Sequence, residues 1–425
     1  MNNKIKIWHL LILILLIILL KRYDFICDLI LLFIYYVKLI NNNSALMITQ
    51  LGPTLIDNFT SAFLIICVPI IFYWKRKKLK FLFYKAGITN SVLSVLIIFT
   101  FLAPIVAPSQ FDFQYNISVS KLLNPFSSKK IVYLRKDTDH KNPIDNFIYQ
   151  RDLIYNKGMT GEYIIADSLK ISKGLIIYQK GKKQIISEEH ISKENILPEI
   201  STIYFLLGTD EYGRDIFSRL IYGTRLSLFV GFGSVLISFL MGLMLGFTAG
   251  YFGGVADIVL NRLSDIFLSF PFIFLIILIV GLFGNSILTI VSVLGFAGWM
   301  SLFKIIRNES AKLKNKDFII TTKLLGFSNY HILFKEMLPI MMPSIVVTLV
   351  LQYGGVIITE SALSYLGLGL GNNYPSWGAM IQAGQYYLSK AWWMSFFPCL
   401  FLFLTLYTAN HFGSKLELFF KIKLK

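Results

Sequence analysis

Long apolar runs alternate with short polar segments along most of this chain. From residue 88 onward, six runs have about the 17 to 25 residues that a helix needs to cross a bilayer. They cover roughly residues 88–106, 226–247, 266–282, 287–303, 339–363 and 392–412. The pattern predicts an all-α polytopic membrane protein with six spans in this part of the chain.

The first 87 residues are apolar but less regular. Residues 8–20 are short for a span and follow a lysine-containing start, as in a signal peptide, but no small-residue cleavage site follows them. A second run at residues 25–40 favours a signal anchor or a helical hairpin. Residues 55–74 form a better span, and the cluster WKRKKLK at residues 74–80 places its end in the cytoplasm. How often the chain crosses before Lys75 stays open.

Residues 107–206 contain mixed charges and strand-like pieces. The pieces are KIVYL, EYIIA, LIIYQ and KQIIS, and the last two flank Lys180, Gly181 and Lys182, which predicts a hairpin. Because the preceding span leaves the cytoplasm, we expect a small β-rich exterior insertion of about 90 residues, a size that folds when its neighbours support it. Its predicted role is structural or the docking of a partner.

The segment LGTDEYGRDIFSRLIYGTRLSL opens the next region at residue 207. Thr209 or Asp210 is predicted to cap a helix that has Glu211 in its first turn. We expect this helix to lie along the outer surface of the bilayer before the chain enters it. Its apolar face consists of Ile216, Leu220 and Ile221.

Glycines recur in the span at residues 226–247, at positions 231, 233, 242 and 246. Small residues let membrane helices approach closely, so we expect this span to pack inside a bundle. The segment AGYFGGVADIVLNRLSD then predicts a tight return to the membrane, with Asp257, Arg262 and Asp265 near its surface.

Residues 317–339, DFIITTKLLGFSNYHILFKEMLP, form a partly polar island between two apolar runs, which we call the knob. Gly326 is suited to a left-handed C-terminal cap of a first short helix, and Ser328 to the N-cap of a second. In the first helix, the apolar residues Phe318, Ile319, Leu324 and Leu325 recur at helical spacing. In the second, the pattern predicts one apolar side that consists of Tyr330, Leu333, Phe334 and Met337.

The positive-inside rule orients the chain. Cations flank the knob and place the loop at residues 304–338 in the cytoplasm, namely Lys304, Arg307, Lys312, Lys314, Lys316, Lys323 and Lys335. Both the N-terminal side of Ile88 and the C-terminus are then cytoplasmic. We therefore divide the chain into N-terminal segments (1–87), a first core span (88–106), the exterior insertion (107–206) and a membrane core (207–425).

Composition supports a membrane protein and excludes several other classes. The 425 residues are 55% hydrophobic and 15% charged, with a mean hydropathy of +0.62, whereas soluble domains are about 25% charged. The net charge of +17 sits mostly beside apolar runs and in no recognised nucleic-acid module. Three cysteines and five histidines are scattered, so we expect no metal site, cofactor or catalytic cluster.

Glu360 lies near the outer end of the fifth span, before the glycine-rich segment at residues 364–380, which reads as an exterior loop. We favour an interfacial carboxylate whose hydrogen bonds are satisfied within the protein over one that contacts substrate. Ionisable groups indicate function chiefly when they lie deep in the membrane. We assign no substrate-binding residue.

Five segments, in this order and spacing, resemble the oligopeptide and dipeptide permease subunits of bacterial ABC importers, specifically the C-type permease. They are LGTDEYGRDIFSRLIYGTRLSL, AGYFGG, FPFIFL, KLLGFSNYHILFKEMLP and ESALSYLGLGLGNNYPSWGAMI. The resemblance covers residues 88–412. It marks a family motif at Gly208, Thr209, Asp210, Gly213, Arg214 and Asp215.

The resemblance implies a six-span type I importer core in the bacterial inner membrane, forming half of a transmembrane pathway for peptides. It also implies the partners: a homologous second permease, two cytoplasmic ATPases and an exterior substrate-binding protein. ATP hydrolysis would belong to the ATPases, so this chain would not be an enzyme.

In this family the knob carries a signature, Glu-Ala-Ala, three residues, Gly and later Leu-Pro, and forms the coupling helices that dock in an ATPase groove. Ile320, Thr321 and Thr322 take the Glu-Ala-Ala positions here, so the leading carboxylate is missing. By this resemblance the coupling residues are Ile320, Thr321, Thr322, Lys323, Leu325, Gly326, Phe327, His331, Leu338 and Pro339.

Other functions remain open at this point. Nickel permeases share the fold and most of the motifs. A secondary transporter or channel needs midmembrane ionisable groups or broken helices. In a structural or envelope-assembly protein, the exterior insertion would be the working part.

Overall fold

The computed structural model describes residues 13, 15–18, 20–40, 88–134, 143–155, 162–172, 174–179, 182–186, 199–371 and 374–423. The chain divides into two compact units, Met1–Arg225 with Ala383–Pro398, and Leu226–Gln382 with Cys399–Lys425. The span predicted at residues 55–74 lies outside the described residues, as does most of the run at residues 8–20.

In the first unit, four helices precede or interrupt the strands. They are α1 (Tyr23–Ile40), α2 (Ile88–Val106), α3 (Ile117–Ser120) and α4 (Pro143–Tyr155). The α1 and α4 helices share an apolar core in which the rings of Tyr36 and Phe147 lie 5.9 Å apart. The predicted hydrophobic run at residues 25–40 is therefore helical, and it packs on part of the region predicted as a β-rich insertion.

The described residues contain six strands: β1 (Ser127–Leu134), β2 (Glu162–Ala166), β3 (Ser168–Ser172), β4 (Gly174–Gln179), β5 (Lys182–Ile186) and β6 (Glu199–Phe205). Four of them, β1, β2, β4 and β5, correspond to the predicted strand-like pieces, whereas β3 and β6 were not predicted. The six strands form two antiparallel sheets, in the orders β2-β1-β6 and β3-β4-β5. The predicted hairpin is confirmed, since β4 and β5 pair from Gln179 opposite Lys182. In the first sheet, Ile131, Ile165 and Phe205 point into a core with Tyr115.

A single helix, α5 (Ile216–Phe247), replaces the predicted surface helix and separate span. Ile216, Leu220 and Ile221 are buried as the pattern predicted, but the helix runs on through Leu226 without a break. A π-helical turn, Thr248–Phe252, extends it. The expectation of a distinct surface helix was wrong, because no residue between positions 216 and 247 interrupts the helical hydrogen bonding.

The predicted third span, residues 266–282, is broken. It belongs to two helices, α6 (Gly254–Ser269) and α7 (Phe272–Phe283), which meet at a bend of 88°. Phe270 is extended, with ψ 135°, because a residue before proline is disfavoured in the α conformation. The α7 helix has 12 residues, so at about 1.5 Å per residue it is shorter than a bilayer core.

The remaining helices complete the second unit and the C-terminal end. They are α8 (Ile287–Lys314), α9 (Asp317–Leu324), α10 (Asn329–His331), α11 (Leu338–Tyr365), α12 (Trp377–Gln385) and α13 (Trp393–Lys423). In the described part of the chain, five helices are long and apolar enough to cross a membrane, and the bent α6–α7 pair gives a sixth if it counts as one span. The predicted number of six is met only with that pair.

Glycines bring α5 and its π-turn against α8, as their spacing predicted. A Cβ built on Gly242 lies 2.9 Å from the Cβ of Leu302, and one built on Gly246 lies 2.7 Å from the Cβ of Ile306. Gly250 is the tightest of these contacts, since its Cβ would lie 2.4 Å from the backbone oxygen of Arg307. The two helices therefore approach as closely as their backbones allow.

Gly250→Val is expected to destabilise the protein by about 1 to 3 kcal/mol, because the α8 backbone has to move to admit the side chain. Gly281→Val is the matched control, since nothing lies within 4 Å of a Cβ at Gly281. Thermal unfolding of the two purified variants in detergent checks this. Equal unfolding midpoints would show that the close approach does not matter for stability.

Candidate functional site

The first helix of the knob, α9, ends at the predicted glycine. Gly326 has φ +83°, the left-handed conformation that favours glycine. The amide of Phe327 donates to the oxygen of Thr322, and that of Gly326 donates to the oxygen of Lys323. This pair of bonds is a Schellman motif, which satisfies the last carbonyl groups of the helix. The predicted stop at Gly326 is confirmed.

The second helix of the knob begins where Ser328 was expected to cap it. The Ser328 hydroxyl accepts a hydrogen bond from the amide of His331 at 3.3 Å. The short α10 helix then widens into a π-helix at Ile332–Met337 before α11 begins at Leu338. Pro339 lies at the start of α11, which continues the π-helix directly, since the amide of Leu338 donates to the oxygen of Leu333.

A buried side fastens the knob to three long helices. Ile319, Ile332 and Met337 are at most 2% exposed and pack in one apolar cluster. The cluster includes residues of α5, α8 and α11, namely Leu243, Phe247, Leu302, Ile306, Met341 and Ile345. The knob is therefore packed into the bundle through these contacts.

One polar anchor of the knob was missed by the sequence analysis. The hydroxyl of Tyr251 lies 3.1 Å from the side-chain oxygen of Asn329, which is 78 residues away in the chain. Tyr251 belongs to the AGYFGG segment and Asn329 to the knob. The presence of both segments in the family resemblance was the one sequence signal that could have linked them. Nothing in the local pattern around either residue indicates that they meet.

The opposite side of the knob is apolar and exposed. Leu324 and Leu325 are 83% and 71% exposed, and Tyr330 is 69% exposed. We call this side the apolar face, and it comprises Phe318, Ile320, Leu324, Leu325, Phe327 and Tyr330. Large apolar side chains gathered on one exposed element mark a binding surface more often than isolated ones do.

The predicted helical faces of the knob were partly wrong. Of the first helix's predicted set only Ile319 is buried, and in the second Tyr330 and Phe334 are exposed while Leu333 and Met337 are buried. The π-helix changes the number of residues per turn, so the α-helical spacing used for the prediction does not apply there.

The signature positions present an apolar surface. Ile320 is 45% exposed, and the hydroxyls of Thr321 and Thr322 donate to carbonyl oxygens one turn earlier, at Asp317 and Phe318. These hydroxyls are therefore already engaged within α9. Lys323 is exposed beside them, and the rings of Phe327 and His331 lie 4.6 Å apart.

Two cations at the start of the loop have acidic partners on α6. Arg307 makes two bonds to Asp257, at 2.7 and 2.6 Å, and Lys304 lies 2.9 Å from Asp265. Lysines at 314, 316, 323 and 335 are exposed around the knob. The cationic loop is thus partly used to hold α6 against α8.

The second predicted motif, residues 208–215, is a tightly bonded loop in the first unit. The Asp210 carboxylate accepts from the amides of Tyr212 and Arg214, at 2.9 and 2.8 Å, and from Arg214 Nε at 2.7 Å. Arg219 Nε lies 3.7 Å from the same carboxylate, and all three charged side chains are nearly buried. This loop has a structural role that its charge pattern alone does not reveal.

Burial raises the pKa of Glu211, and the neighbouring Asp210 carboxylate raises it further. The folded protein therefore holds this proton to higher pH than the unfolded chain does. Folding loses stability as pH rises through the window between the ordinary and the raised pKa of Glu211.

The cap of α5 differs from the prediction. Asp215 accepts from the amide and the hydroxyl of Ser218, at 2.8 and 2.7 Å, so it caps a helix that begins at Ile216. Thr209 instead ties this loop to the segment before β1, because its hydroxyl accepts from the amide of Leu123 and donates to the oxygen of Ser120. The expectation that Thr209 or Asp210 caps the helix was wrong.

Glu360 is satisfied by hydroxyl groups. It is 2% exposed, and its two carboxylate oxygens accept from Ser227 at 3.1 Å and Ser364 at 2.9 Å. The bonds join α5 to the C-terminal part of α11. This geometry agrees with the interpretation of Glu360 as a satisfied carboxylate.

Comparison with known proteins gives the family. The family model described as "Binding-protein-dependent transport system inner membrane component" matches residues 242–413. The dipeptide transport system permease protein DppC of Bacillus subtilis (strain 168) is 36% identical over 233 residues, which are 55% of this chain and 72% of that protein. The oligopeptide transport system permease protein OppC of Haemophilus influenzae (strain ATCC 51907 / DSM 11121 / KW20 / Rd) is 38% identical over 214 residues, 50% of this chain and 69% of that protein.

A solved structure of the MetNI methionine ABC transporter in an inward-facing conformation is similar over 48% of this chain and 96% of that chain, with 17% identity and a TM-score of 0.40. The apolar helices and the 36% identity to DppC carry the family assignment. This multi-pass membrane protein belongs to the family of inner membrane permease components of binding-protein-dependent transport systems.

Proposed function

We propose that this chain is a permease subunit of an ATP-driven ABC importer and forms half of a transmembrane pathway for peptides. The names of the relatives supply the substrate class, since both are peptide permeases. The chain itself carries out no chemistry in this account. Its partners are a homologous second permease, two cytoplasmic ATPases and an exterior substrate-binding protein.

The apolar face of the knob is the observation that carries this proposal. Six large apolar residues stand exposed on an element whose other side is locked into the bundle. Water-exposed apolar surface is unfavourable at about 25 cal/mol per Å², so a partner that covers the face gains binding free energy. We place the ATPase groove there, with Thr321, Thr322, Lys323, Gly326 and His331 at its border.

Coupling follows from how the knob is held. Closure of the two ATPases on ATP moves the knob, and the buried contacts with α5, α8 and α11 pass that movement to the helices that surround the pathway. A bundle with inward and outward openings, biased from a distant site, is allosteric in the sense of a coupling free energy. Leu338 and Pro339 join the knob directly to α11.

The membrane orientation belongs to the same proposal. We place the knob, the C-terminus and the side before Ile88 in the cytoplasm of a bacterium, because lysines surround the knob and recur at the C-terminal end of the chain. Residues 107–206 then lie outside and residues 207–425 form the transport core. The ion pairs of Lys304 and Arg307 do not weaken this assignment, since the rule counts cations rather than net charge.

Uptake of a labelled dipeptide into cells or vesicles tests the function. We expect uptake to require this chain and ATP hydrolysis, and to persist when the proton gradient is dissipated but ATP is maintained. Uptake driven by the gradient alone would favour a secondary transporter. Uptake of nickel without peptide would keep the fold and change the substrate. An envelope defect without any transport defect, after deletion of residues 116–199, would favour the structural role.

Ile320→Glu tests whether the ATPase groove has a positive charge that pairs with the glutamate found at this position in the family, or is fitted to the isoleucine of this chain. Ile320 is 45% exposed, so a glutamate is admitted without repacking the core. If the groove keeps the complementary charge of the family, we expect peptide uptake equal to or higher than that of the unchanged protein. A clear loss of uptake at unchanged protein level would mean that the groove is apolar at this point.

A further inference from the structure

We propose that one end of the β2-β1-β6 sheet rests on the bilayer surface through an aromatic patch. The patch consists of Phe126, Tyr204 and Leu206, which are 80%, 66% and 43% exposed. The ligand is the headgroup and upper acyl region of phospholipid. This inference goes beyond the transport function and does not depend on it.

The three residues lie together at one end of the paired strands β1 and β6. The amide of Phe126, just before β1, donates to the oxygen of Leu206, just after β6, at 3.3 Å, and Ser128 pairs with Tyr204 inside the strands. Successive residues of a strand point to opposite faces, so Tyr204 lies on the side away from Phe205, which is 1% exposed. The patch is therefore a group of exposed apolar residues that are adjacent at this end of the sheet.

The depth of this end is fixed by the start of an apolar span. Trp393, the first residue of α13, donates from its indole nitrogen to the oxygen of Thr209 at 3.3 Å. A Cβ built on Gly208 lies 2.8 Å from that nitrogen and 3.1 Å from the nitrogen of Pro125. Phe126 follows Pro125, so its backbone lies within about 10 Å of the Trp393 indole.

That depth is the membrane interface. The α13 helix is apolar from Trp393 onward, and Trp392 beside it is 52% exposed, as interfacial tryptophans are. Each headgroup layer of a bilayer is roughly 5 to 8 Å thick. An exposed aromatic patch this close to the first residue of a span therefore lies where phenylalanine and tyrosine rings insert between lipids.

Backbone strain and charge point to the same occupant. Phe126 has φ +62°, a conformation that costs a non-glycine residue about 1 to 2 kcal/mol, and it directs an apolar ring outward. Lys121 and Lys130 are exposed close to it in the chain. The ammonium groups of lysines close to a bilayer surface can reach the phosphates of the headgroups, so the two lysines fit a phospholipid occupant.

The test replaces Phe126 with the photoreactive amino acid p-benzoylphenylalanine in the full chain, in native membranes with the rest of the importer present. Irradiation is expected to give phospholipid adducts, detected by mass, at a yield of the same order as at Phe403, a 62% exposed residue of α13. A probe at Tyr204 should also label lipid, which covers the case in which the Phe126 variant does not fold.

Ile200 is the matched control. It is exposed on the same side of β6 as Tyr204, four residues and about 13 Å further from the patch, so we expect little lipid adduct there. An adduct with another protein subunit at position 126 would overturn the proposal. So would absence of lipid adducts at both 126 and 204 while Phe403 is labelled, or equal labelling at Ile200.

Discussion

Leu324→Asp is expected to abolish ATPase association and peptide uptake while the protein remains in the membrane at its normal level. Leu324 is 83% exposed, so the change leaves the core of the knob untouched. In a complex, the new carboxylate would be buried in an apolar groove without a partner, which costs several kcal/mol. A loss of about 2.7 kcal/mol already lowers affinity about a hundredfold.

Copurification of the ATPases with tagged protein measures association, and labelled-peptide uptake measures function. Leu388→Asp is the matched control, because Leu388 is 55% exposed and lies outside the knob, so uptake should stay normal. Normal ATPase association of the Leu324 variant would remove the apolar face from the docking surface. Loss of both variants from the membrane would point instead to a general folding defect.

Asp210→Ala is expected to have the largest effect on stability, a loss of about 3 to 5 kcal/mol. The change leaves the guanidinium groups of Arg214 and Arg219 nearly buried without their carboxylate, and it removes the acceptor of two backbone amides. Breaking a buried ion pair from one side is costly because the remaining charge is still desolvated. The thermal unfolding midpoint in detergent, together with the protein level in membranes, checks this.

Asp265→Ala is the control, because it also removes a carboxylate that pairs with a cation, but an exposed one. Its partner Lys304 is 39% exposed and Asp265 is 53% exposed, so this surface pair contributes about 0 to 1 kcal/mol. Asp210→Asn should recover part of the stability, since an amide oxygen still accepts from the loop amides. If Asp210→Ala unfolds at the same temperature as Asp265→Ala, the loop is not held by its buried carboxylate.

Local sequence signals predicted where the knob helices end, whereas long-range packing determines which of their residues are buried. Gly326 and Ser328 act on the two or three residues next to them, so their roles follow from residue type alone. Which residues of α9 are buried depends on α5, α8 and α11, and the π-helix at Ile332–Met337 shifts the spacing further. The apolar face was therefore not predicted, although three of its six residues, Ile320, Leu325 and Phe327, were among the predicted coupling residues.

The same difference between local signals and long-range contacts explains the other predictions that were wrong. Thr209, Asp210 and Asp215 are all residue types that cap helices, and only the contacts with Leu123 and Arg214 show why the first two are engaged elsewhere. Proline at position 271 was visible in the sequence, but the 88° angle between α6 and α7 was not, because a proline marks a break without setting its direction. Hydropathy, which averages over a window, passes smoothly through such a bend.

Crosslinking from the knob tests the central proposal most directly. Leu324 is replaced by cysteine in a protein whose own cysteines have been removed, and membranes containing the whole importer are treated with a short bifunctional thiol reagent. The account predicts a product that joins this chain to an ATPase subunit and whose yield changes when ATP is bound. A crosslink to a different protein, or no ATPase product although the cysteine reacts with a soluble thiol probe, would contradict it.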